Sequence, residues 1–316
     1  MPKDNFFCGR QKELQEIEQW LNSNVPFLNI WGAAGVGKSS LIAYWINQQT
    51  IFSSVIWQSV DCENIEISCK DFVDDFLGRF IPEAERGKNC FQEFNKLLSI
   101  RKILIVIDGN FNDEYYQWFK NLVRQIYSSC VIVVSESNLE VVLSNRNPPK
   151  AKEIVGLNNI DVGMIWNHYT GDLEKTSDCK DSIRILRERY DGNPSLLKMV
   201  IELIIKYYGG NLSRAMDETT VIPNGFKEVL EKRFDSFPDT EQQILIAMAK
   251  VENKISLEDI KSLIQQHDLV NPLETLRNSS VLQVQSISCG ENALHSDEPM
   301  YSISSLWRKY LQRRFF

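Results

Sequence analysis

Eight consecutive residues have the types and spacing needed to hold a chain of phosphate groups. Residues 32–39 are Gly-Ala-Ala-Gly-Val-Gly-Lys-Ser, which fits the pattern G-x-x-x-x-G-K-[ST]. Glycines in such a segment let main-chain N–H groups curl around an anion without steric clashes from Cβ atoms. Lys38 supplies an ammonium group for the phosphates, and Ser39 supplies a hydroxyl group for Mg²⁺. The pattern therefore predicts a phosphate-binding loop, or P-loop.

The segments that flank this loop also suit a phosphate site. An apolar run, Phe27–Trp31, precedes the loop as a β-strand would, and a helical pattern extends over Ser39–Gln48. A helix that starts at Lys38 would point the positive end of its dipole at the anion. A chance match to the pattern would occur in roughly one in a hundred chains of this length. We therefore expect a nucleotide to contact Gly32, Gly35, Val36, Gly37, Lys38, Ser39 and Ser40.

A carboxylate that follows a buried strand is the second group with a predicted role. Asp108 comes directly after the apolar run Ile103–Ile107. An acid in this position lies at the carboxyl edge of a parallel sheet, where ligands bind, and can order the water shell of Mg²⁺ beside Ser39. The alternative is an Asp that only caps the next turn. We predict Lys38 and Asp108 as catalytic residues and Ser39 and Asp108 as the metal site.

The elements that would position these residues alternate in type along the first half of the chain. Helical patterns at Ser39–Gln48, Phe72–Phe80 and Phe111–Ile126 separate short apolar runs. Continuous apolar strands separated by helices indicate a parallel sheet that is covered on both faces, and hence an α/β fold. The predicted strands are Phe27–Trp31, Val55–Val60, Lys102–Ile107, Cys130–Val134 and Lys152–Val155, with a loop at Asn147-Pro148-Pro149 before the last.

Strand patterns stop after about residue 157, and the remaining chain is mostly helical in pattern. A turn cluster, Pro223-Asn224-Gly225, divides it. The helices predicted after that turn precede two strands, Val281–Ile287 and Met300–Ser304, an order that is typical of a winged helix. We predict a P-loop domain over residues 1–157, a helical domain over 158–222 and a winged-helix domain over 223–316. The predicted helices are Asn159–Tyr169, Ser182–Tyr190, Pro194–Tyr208, Phe226–Phe234, Asp239–Lys250, Ser256–Gln266, Pro272–Asn278 and Leu306–Arg314.

Composition narrows the classes of function. The 316 residues have a net charge of −7, which gives no support to non-specific binding of nucleic acids or anionic membranes. The longest apolar runs are far too short to cross a bilayer, and the first residues lack the apolar core of a signal peptide, so we expect a cytoplasmic protein. No two of the seven cysteines have C-x-x-C spacing, which favours free thiols over a zinc site. The three histidines are scattered and suggest no nucleophile–base pair.

The order of these features resembles the NB-ARC branch of the STAND signal-transduction ATPases, in its bacterial and often cyanobacterial form. Phe6–Leu14, with Gly9-Arg10 inside it, is similar to the opening segment of that family, and Tyr190–Leu196 is similar to its G-L/N-P-L-A-L motif. The resemblance implies that Gly9 and Arg10 pack over adenine and that Pro194 approaches the base. It also implies ATP or ADP as the nucleotide, with Mg²⁺. Alternatively, these two segments are a plain helix-entry turn and an ordinary helix start with Pro at its first position.

Three positions depart from the pattern of that family. Gly109 and Asn110 follow Asp108 where a second acid would polarise water, and Asp113 and Glu114 are out of register. Ser135-Glu136-Ser137 stands in place of Thr-Thr-Arg, so the arginine that would sense the γ-phosphate is missing. Ile303-Ser304-Ser305 stands in place of Met-His-Asp, so the histidine that would hold ADP is missing. We therefore expect secure nucleotide binding, slow or absent hydrolysis and a weak ADP lock.

Three functions were compared. The first is a nucleotide-dependent switch. Because no effector or sensor segment is recognisable, either the chain is a fragment of a longer protein, or it self-associates or acts on an effector protein in trans. The second is a DNA-binding regulator; residues 225–316 contain 11 Lys and Arg against 13 Asp and Glu, so we do not expect DNA binding. The third is a metabolic kinase, which no acceptor-site motif supports. We also expect Trp307 and the aromatic Tyr115–Phe119 segment to be core rather than interaction surface.

Overall fold

A computed structural model of the chain describes residues 6–23, 25–60, 69–82, 89–109, 128–139, 150–171, 179–217, 222–266, 268–285 and 299–316. The chain folds as two compact units. The first consists of Met1–Gly32 and Lys38–Ile154, and the second of Ala33–Gly37 and Val155–Phe316. The middle of the glycine-rich loop therefore belongs to the second unit, and its two ends belong to the first.

The first unit contains a parallel five-stranded sheet in the order β2-β3-β4-β1-β5. Leu104 pairs with Val55 on one side and with Cys130 on the other, in parallel register. The sequence-based prediction of an α/β fold with a parallel sheet is confirmed. The strands are β1 (Phe27–Trp31), β2 (Ser54–Val60), β3 (Ile103–Gly109), β4 (Cys130–Ser135) and β5 (Lys150–Glu153).

Strands β3 and β4 lie close to their predicted positions, because their side chains are apolar and buried on both faces of the sheet. All residues of Ile103–Ile107 are fully buried, as expected of a strand covered on both sides. The edge strand β5 is instead polar and largely exposed. Its predicted range was Lys152–Val155, but the strand ends at Glu153, which pairs with the last residue of β1, and Val155 is exposed.

Helices of the first unit are α1 (Gln11–Leu21), α2 (Lys38–Ile46), α3 (Cys69–Gly78) and α4 (Cys90–Ile100). Phe72, Phe76 and Phe94 pack edge-on in one apolar cluster with the inward side chains of β3 and β4. The helices α1 and α4 were not predicted, because each buries only two side chains among mostly polar neighbours. The predicted helix Phe111–Ile126, with its Tyr115–Phe119 segment, and the predicted Asn147-Pro148-Pro149 loop lie outside the described residues.

The second unit is mainly helical. Two sequence-predicted helix ends are found in it: Pro194 occupies the first turn of α7, and Gly209, in the left-handed conformation, ends that helix. The short helix α8 was not predicted. The first five of its helices are α5 (Asn159–Thr170), α6 (Cys179–Arg189), α7 (Pro194–Tyr208), α8 (Leu212–Asp217) and α9 (Asn224–Asp235).

Further helices and a hairpin of the second unit follow in the described part of the chain. The antiparallel strands β6 (Leu282–Gln285) and β7 (Met300–Ile303) pair with Leu282 opposite Ile303. Trp307 is buried and packs against Tyr310, as the sequence predicted. The division into three domains and the winged-helix interpretation stay predictions. The helices are α10 (Asp239–Ala249), α11 (Leu257–Ile264), α12 (Val270–Asn278) and α13 (Ser305–Phe315). Within the described residues, no helix has both the length and the apolarity needed to cross a membrane.

Candidate nucleotide site

The strand and helix ends of the first unit bring Lys38, Ser39 and Asp108 to one edge of the sheet. Lys38 opens α2, and Asp108 lies near the end of β3, where it pairs with Ser59 of β2 and Val134 of β4. The Ser39 hydroxyl donates a hydrogen bond of 3.0 Å to Asp108 Oδ1. A hydroxyl and a carboxylate at this distance are the oxygen ligands that Mg²⁺ uses in phosphate sites, directly or through water.

The ammonium group of Lys38 is held close to the loop. Its Nζ donates a hydrogen bond of 2.9 Å to the main-chain oxygen of Gly32, and the residue is only 9% exposed. Burial of a cation is costly unless an anion or hydrogen-bond acceptors surround it. A phosphate is an anion that a buried ammonium group binds favourably, so the lysine suits a phosphate site.

Asp108 has a pKa above its ordinary value, because burial disfavours the ionised carboxylate. The hydrogen bond from Ser39 and the positive charge of Lys38 act in the opposite direction, as does a hydrogen bond from Trp57. A divalent cation beside Asp108 would also favour the ionised carboxylate and so offset the effect of burial. The electrostatics therefore suit Mg²⁺, and the residues present fit that ion.

The glycines of the loop adopt backbone conformations that other residues rarely adopt. Gly35 has φ of 74° and Gly37 has φ of 96°. At Gly32, where φ is 148°, an added Cβ would lie 2.4 Å from the main-chain oxygen of Ile154. Val36, which is buried, donates its N–H to Ala33 O at 3.3 Å, and Ser40 lies in the first turn of α2. These angles form the turned backbone that a phosphate-binding loop requires.

In the second unit, the middle of the loop lies against the start of α7. Asn193 Nδ2 donates a hydrogen bond of 2.8 Å to Ala34 O, and the Ser195 N–H donates one of 3.2 Å to Gly35 O. Asn193 Oδ1 also accepts a bond of 3.2 Å from the Leu196 N–H and so caps α7. Pro194 Cγ lies 3.7 Å from where a Cβ on Gly37 would stand. The structure therefore places Pro194 beside the loop.

Gly9 and Arg10 lie at the entry to α1. Both have left-handed backbone angles, with φ of 70° and 68°, and Arg10 is the residue that precedes the helix. The Arg10 guanidinium is buried and pairs with Glu13 at 2.9 Å. Phe7, just before them, stacks on Tyr44 of α2 with ring centroids 4.1 Å apart. The predicted contact of these residues with adenine stays a prediction.

A second buried carboxyl group lies in the turn that leads to Asn193. The pKa of Asp191 is raised from 3.8 to about 6, chiefly because the group is removed from water. Hydrogen bonds from the Ser304 side chain and from the main chain of Leu306 and Ser305 act in the opposite direction. Asp191 therefore contacts the start of α13. Close backbone packing brings this turn to the residues after β5, since a Cβ on Gly156 would lie 1.7 Å from Asp191 O and a Cβ on Gly192 would lie 2.3 Å from Leu157 O.

Two of the positions that depart from the family pattern also have structural roles. Ser135, at the end of β4, accepts a hydrogen bond of 2.9 Å from Asn29 and donates one of 2.6 Å to Ser137 O. Ser304 caps α13 by accepting a bond of 3.3 Å from the Trp307 N–H. Both serines therefore fix local backbone.

The sequence interpretation missed the contacts that Asn193, Asp191, Ser195 and Trp57 make. Asn193 preceding Pro194 indicates a helix cap, which is a local signal. Its second partner, Ala34, is 159 residues away in the chain. No local pattern predicts a contact at that separation. Among the described residues, no group of three or more His, Cys, Asp or Glu side chains is placed to hold a metal by itself.

Comparisons with known proteins agree with this fold. No protein-family model matches the chain. It is 22% identical over 320 residues to an uncharacterized WD repeat-containing protein of Nostoc sp. and 24% identical over 265 residues to a candidate disease resistance protein of Solanum bulbocastanum. These alignments cover 90% and 76% of this chain, which spans about a quarter of each relative.

Two solved structures align with almost the whole of this chain. A Walker-type ATPase of Pyrococcus abyssi matches 97% of this chain and 96% of its own, with a TM-score of 0.64 at 17% identity. A STAND protein with a tetratricopeptide repeat sensor from Pyrococcus horikoshii matches all of this chain and 44% of its own, with a TM-score of 0.48 at 18% identity. The likeness to the Pyrococcus abyssi protein shows that the chain has the fold of a Walker-type ATPase.

Proposed function

We propose that this chain binds ADP and ATP with Mg²⁺ and acts as a nucleotide-controlled switch of the STAND type, with slow or absent hydrolysis. The observation that carries the proposal is the arrangement of Lys38, Ser39 and Asp108 at one edge of the parallel sheet, with the Ser39 hydroxyl 3.0 Å from the carboxylate. The glycine angles of the loop support it, because they allow main-chain N–H groups to surround a phosphate.

Each residue of the proposed site has a separate role. Lys38 would neutralise the phosphates, while Ser39 and Asp108 would hold Mg²⁺ and its water shell. Main-chain groups of Gly32, Gly35, Val36, Gly37 and Ser40 would complete the phosphate cradle, with Gly9, Arg10 and Pro194 near the adenine base. Bound Mg²⁺ would supply electrostatic stabilisation of the phosphate charge.

Slow hydrolysis is supported by the backbone that follows Asp108. The position of the missing second acid is Gly109, where φ is 146° and an added Cβ would lie 1.9 Å from Val60 O. No side chain can occupy this position unless the paired strands move apart. A carboxylate that could polarise an attacking water is therefore excluded there by the packing of β2 against β3.

The switch part of the proposal rests on the resemblance and on the names of the relatives. Those relatives are a WD repeat-containing protein and a candidate disease resistance protein, both about four times the length that this chain spans. We infer a role in signal transduction or defence, in which the nucleotide changes the populations of two conformations. The partner would be a second copy of the chain or an effector protein, and the compartment would be the cytoplasm.

The test is calorimetric titration of the wild-type protein with ADP and Mg²⁺, beside Lys38→Ala and the matched control Lys12→Ala. Lys12 is an exposed lysine of the same unit. We expect Lys38→Ala to weaken ADP binding about hundredfold, since a charged hydrogen bond to phosphate is lost. Lys12→Ala should bind like the wild type. Equal affinity in the wild type and Lys38→Ala would sink the proposed site.

A second measurement tests the switch. Size-exclusion chromatography with light scattering, in ADP and in a non-hydrolysable ATP analogue, should give different masses or elution volumes. Identical profiles in the two nucleotides, at concentrations that saturate the calorimetric site, would contradict the switch and leave nucleotide binding intact. Phosphate release measured in the same samples should be close to the background of Lys38→Ala.

A further inference from the structure

The side-chain amide of Asn193 uses both of its ends on main-chain groups. Its oxygen accepts from the Leu196 N–H at 3.2 Å, and its nitrogen donates to Ala34 O at 2.8 Å. The residue is only 5% exposed, so neither bond competes strongly with water. A helix cap needs only the oxygen. The hydrogen bond from Asn193 Nδ2 to Ala34 O is therefore not needed for the cap, and its effect is on the conformation of the loop.

Two neighbouring carbonyl groups of the loop are held by the start of α7. Asn193 Nδ2 binds Ala34 O, and the Ser195 N–H binds Gly35 O. In a planar trans peptide, the carbonyl group and the following N–H point in opposite directions. Holding Ala34 O therefore fixes the direction of the Gly35 N–H, which points away from Asn193. Holding Gly35 O likewise fixes the direction of the Val36 N–H, which donates to Ala33 O within the loop at 3.3 Å.

Tight packing keeps this arrangement in one register. A Cβ added at Gly35 would stand 2.9 Å from Asn193 Oδ1 and 3.0 Å from Ser195 Cβ. Gly35 itself has φ of 74°, and the absence of a side chain lets the loop approach the helix this closely. Without the hydrogen bond from Asn193, the peptide planes on either side of Gly35 could rotate, because glycine has the widest range of backbone angles.

We propose that Asn193 is a positioning residue for the nucleotide, because its side-chain amide holds Ala34 O and so orients the Gly35 N–H toward the phosphates. The inference rests on the proposed function, since it assumes that the loop binds phosphate. Asn193 does not itself touch the phosphates. It acts through the peptide plane that joins residues 34 and 35, and it links the conformation of the loop to the first turn of α7.

Substitutions can separate the two ends of the amide. Asn193→Ser and Asn193→Asp both keep an oxygen that can cap α7. Asn193→Asp has no donor for Ala34 O, and Asn193→Ser replaces the amide donor by a hydroxyl group that lies one bond nearer to the backbone. We expect ADP to bind about tenfold more weakly to Asn193→Ser, because the loop loses one hydrogen bond that orders it for binding. Asn193→Asp should bind more weakly still, because a carboxylate would face the carbonyl oxygen of Ala34.

The matched controls are Asn89→Ser and Asn89→Asp. Asn89 also caps a helix, by accepting a hydrogen bond of 3.3 Å from the Gln92 N–H, but it is exposed and lies in the first unit. Both control variants should bind ADP like the wild type. A role of Asn193 in capping alone would let the serine and aspartate variants restore wild-type affinity, and that result would overturn the inference.

The titrations distinguish failure of the inference from failure of the proposed function. If the wild type does not bind ADP, or if Lys38→Ala binds equally well, the proposed function fails. If Lys38→Ala loses binding while both Asn193 variants keep wild-type affinity, only the inference fails. Circular dichroism melts of the Asn193 variants should lie close to the wild type, because the cap is retained.

Hydrogen exchange of the wild-type protein gives a test that needs no variant. Addition of ADP should slow exchange of the amides of residues 33–37 and 195–197 together, since the carbonyl groups of the first segment are held by the second. Slowing in residues 33–37 with no change in 195–197 would contradict the link and leave nucleotide binding established.

Discussion

Two buried asparagines, one in each unit, hold loops by the same chemistry and with different consequences. Asn29 on β1 is fully buried, donates to Ser135 Oγ at 2.9 Å and accepts from the Leu139 N–H at 2.8 Å. Asn193 at the start of α7 donates to Ala34 O and accepts from the Leu196 N–H. Both ends of the Asn29 amide reach residues more than 100 positions away, whereas Asn193 uses its oxygen on its own helix and its nitrogen on the distant loop.

The surroundings of the two amides differ. Asn29 lies on the central strand β1, between β4 and β5, with buried residues on either side of it along the strand. Asn193 is followed by Pro194, which is partly exposed, and by Ser195, which is exposed. An amide enclosed by strands can only contribute stability, because its partners have no alternative in water. The Asn193 amide is itself only 5% exposed, but exposed chain adjoins it, so its loss should cost less stability than the loss of Asn29. The following predictions test that difference.

The largest expected effect is from Asn29→Ala. The change leaves the Leu139 N–H and the Ser135 side chain without their buried partner, and we expect a loss of about 3 kcal/mol in the free energy of unfolding. Urea denaturation would measure it, and hydrogen exchange of the Leu139 amide should accelerate. The control Asn47→Ala removes an exposed amide from the same unit and should change stability by less than about 0.5 kcal/mol. Equal effects of the two changes would refute the assigned role of Asn29.

The second prediction concerns Asp191 and pH. Its pKa is about 6 in the folded chain against an ordinary 3.8, so the folded chain holds this proton more tightly than the unfolded chain. The stabilisation that protonation gives is complete below pH 4 and is lost as the pH rises through about 6. A shift of that size corresponds to roughly 3 kcal/mol.

Asp191→Asn should remove this dependence, because an amide does not ionise and asparagine tolerates the left-handed backbone at this position. We expect the wild type to lose stability relative to Asp191→Asn between pH 4 and pH 6.5, measured by urea midpoints at each pH. Asp181→Asn is the control, since its side chain is 90% exposed. A pH profile shared by the wild type and Asp191→Asn would contradict the assignment.

The smallest expected effect is the stability change from Asn193→Ala. Loss of the cap on α7 should cost about 1 kcal/mol in the free energy of unfolding. Asn193→Ser should recover most of that loss, although it does not recover ADP affinity. A stability loss from Asn193→Ala as large as that from Asn29→Ala would remove the difference between the two asparagines.

The fold was predictable where the signal is local. Continuous apolar runs predicted the interior strands β3 and β4, because a strand that is covered on both faces is mostly apolar. The edge strand β5 is polar, and its predicted bounds were shifted along the chain. The P-loop was predictable because its glycines, Lys38 and Ser39 are contiguous. The helices α1 and α4 were missed because each buries only two side chains, although these side chains recur at helical spacing.

Contacts between distant residues explain what the sequence could not show. The hydrogen bond from Asn193 to Ala34 spans 159 residues, and that from Asn29 to the Leu139 N–H spans 110. The bond from Ser304 to Asp191 joins two loops that are ordinary in sequence. Such bonds depend on how whole elements pack against one another. Local sequence patterns do not indicate that packing, so these bonds could not be predicted.

The backbone-to-backbone packing of Gly156 and Gly192 has a consequence for how this chain can vary. Even a methyl group at either position would overlap a main-chain oxygen, at 1.7 Å and 2.3 Å respectively. Substitutions of either glycine should therefore be strongly disfavoured, whereas the exposed neighbouring residue Val155 can be replaced without such a clash. The two glycines next to the proposed base-binding proline should therefore stay fixed as the sequence evolves. Sequence changes should instead be found mainly on the exposed faces of the helices.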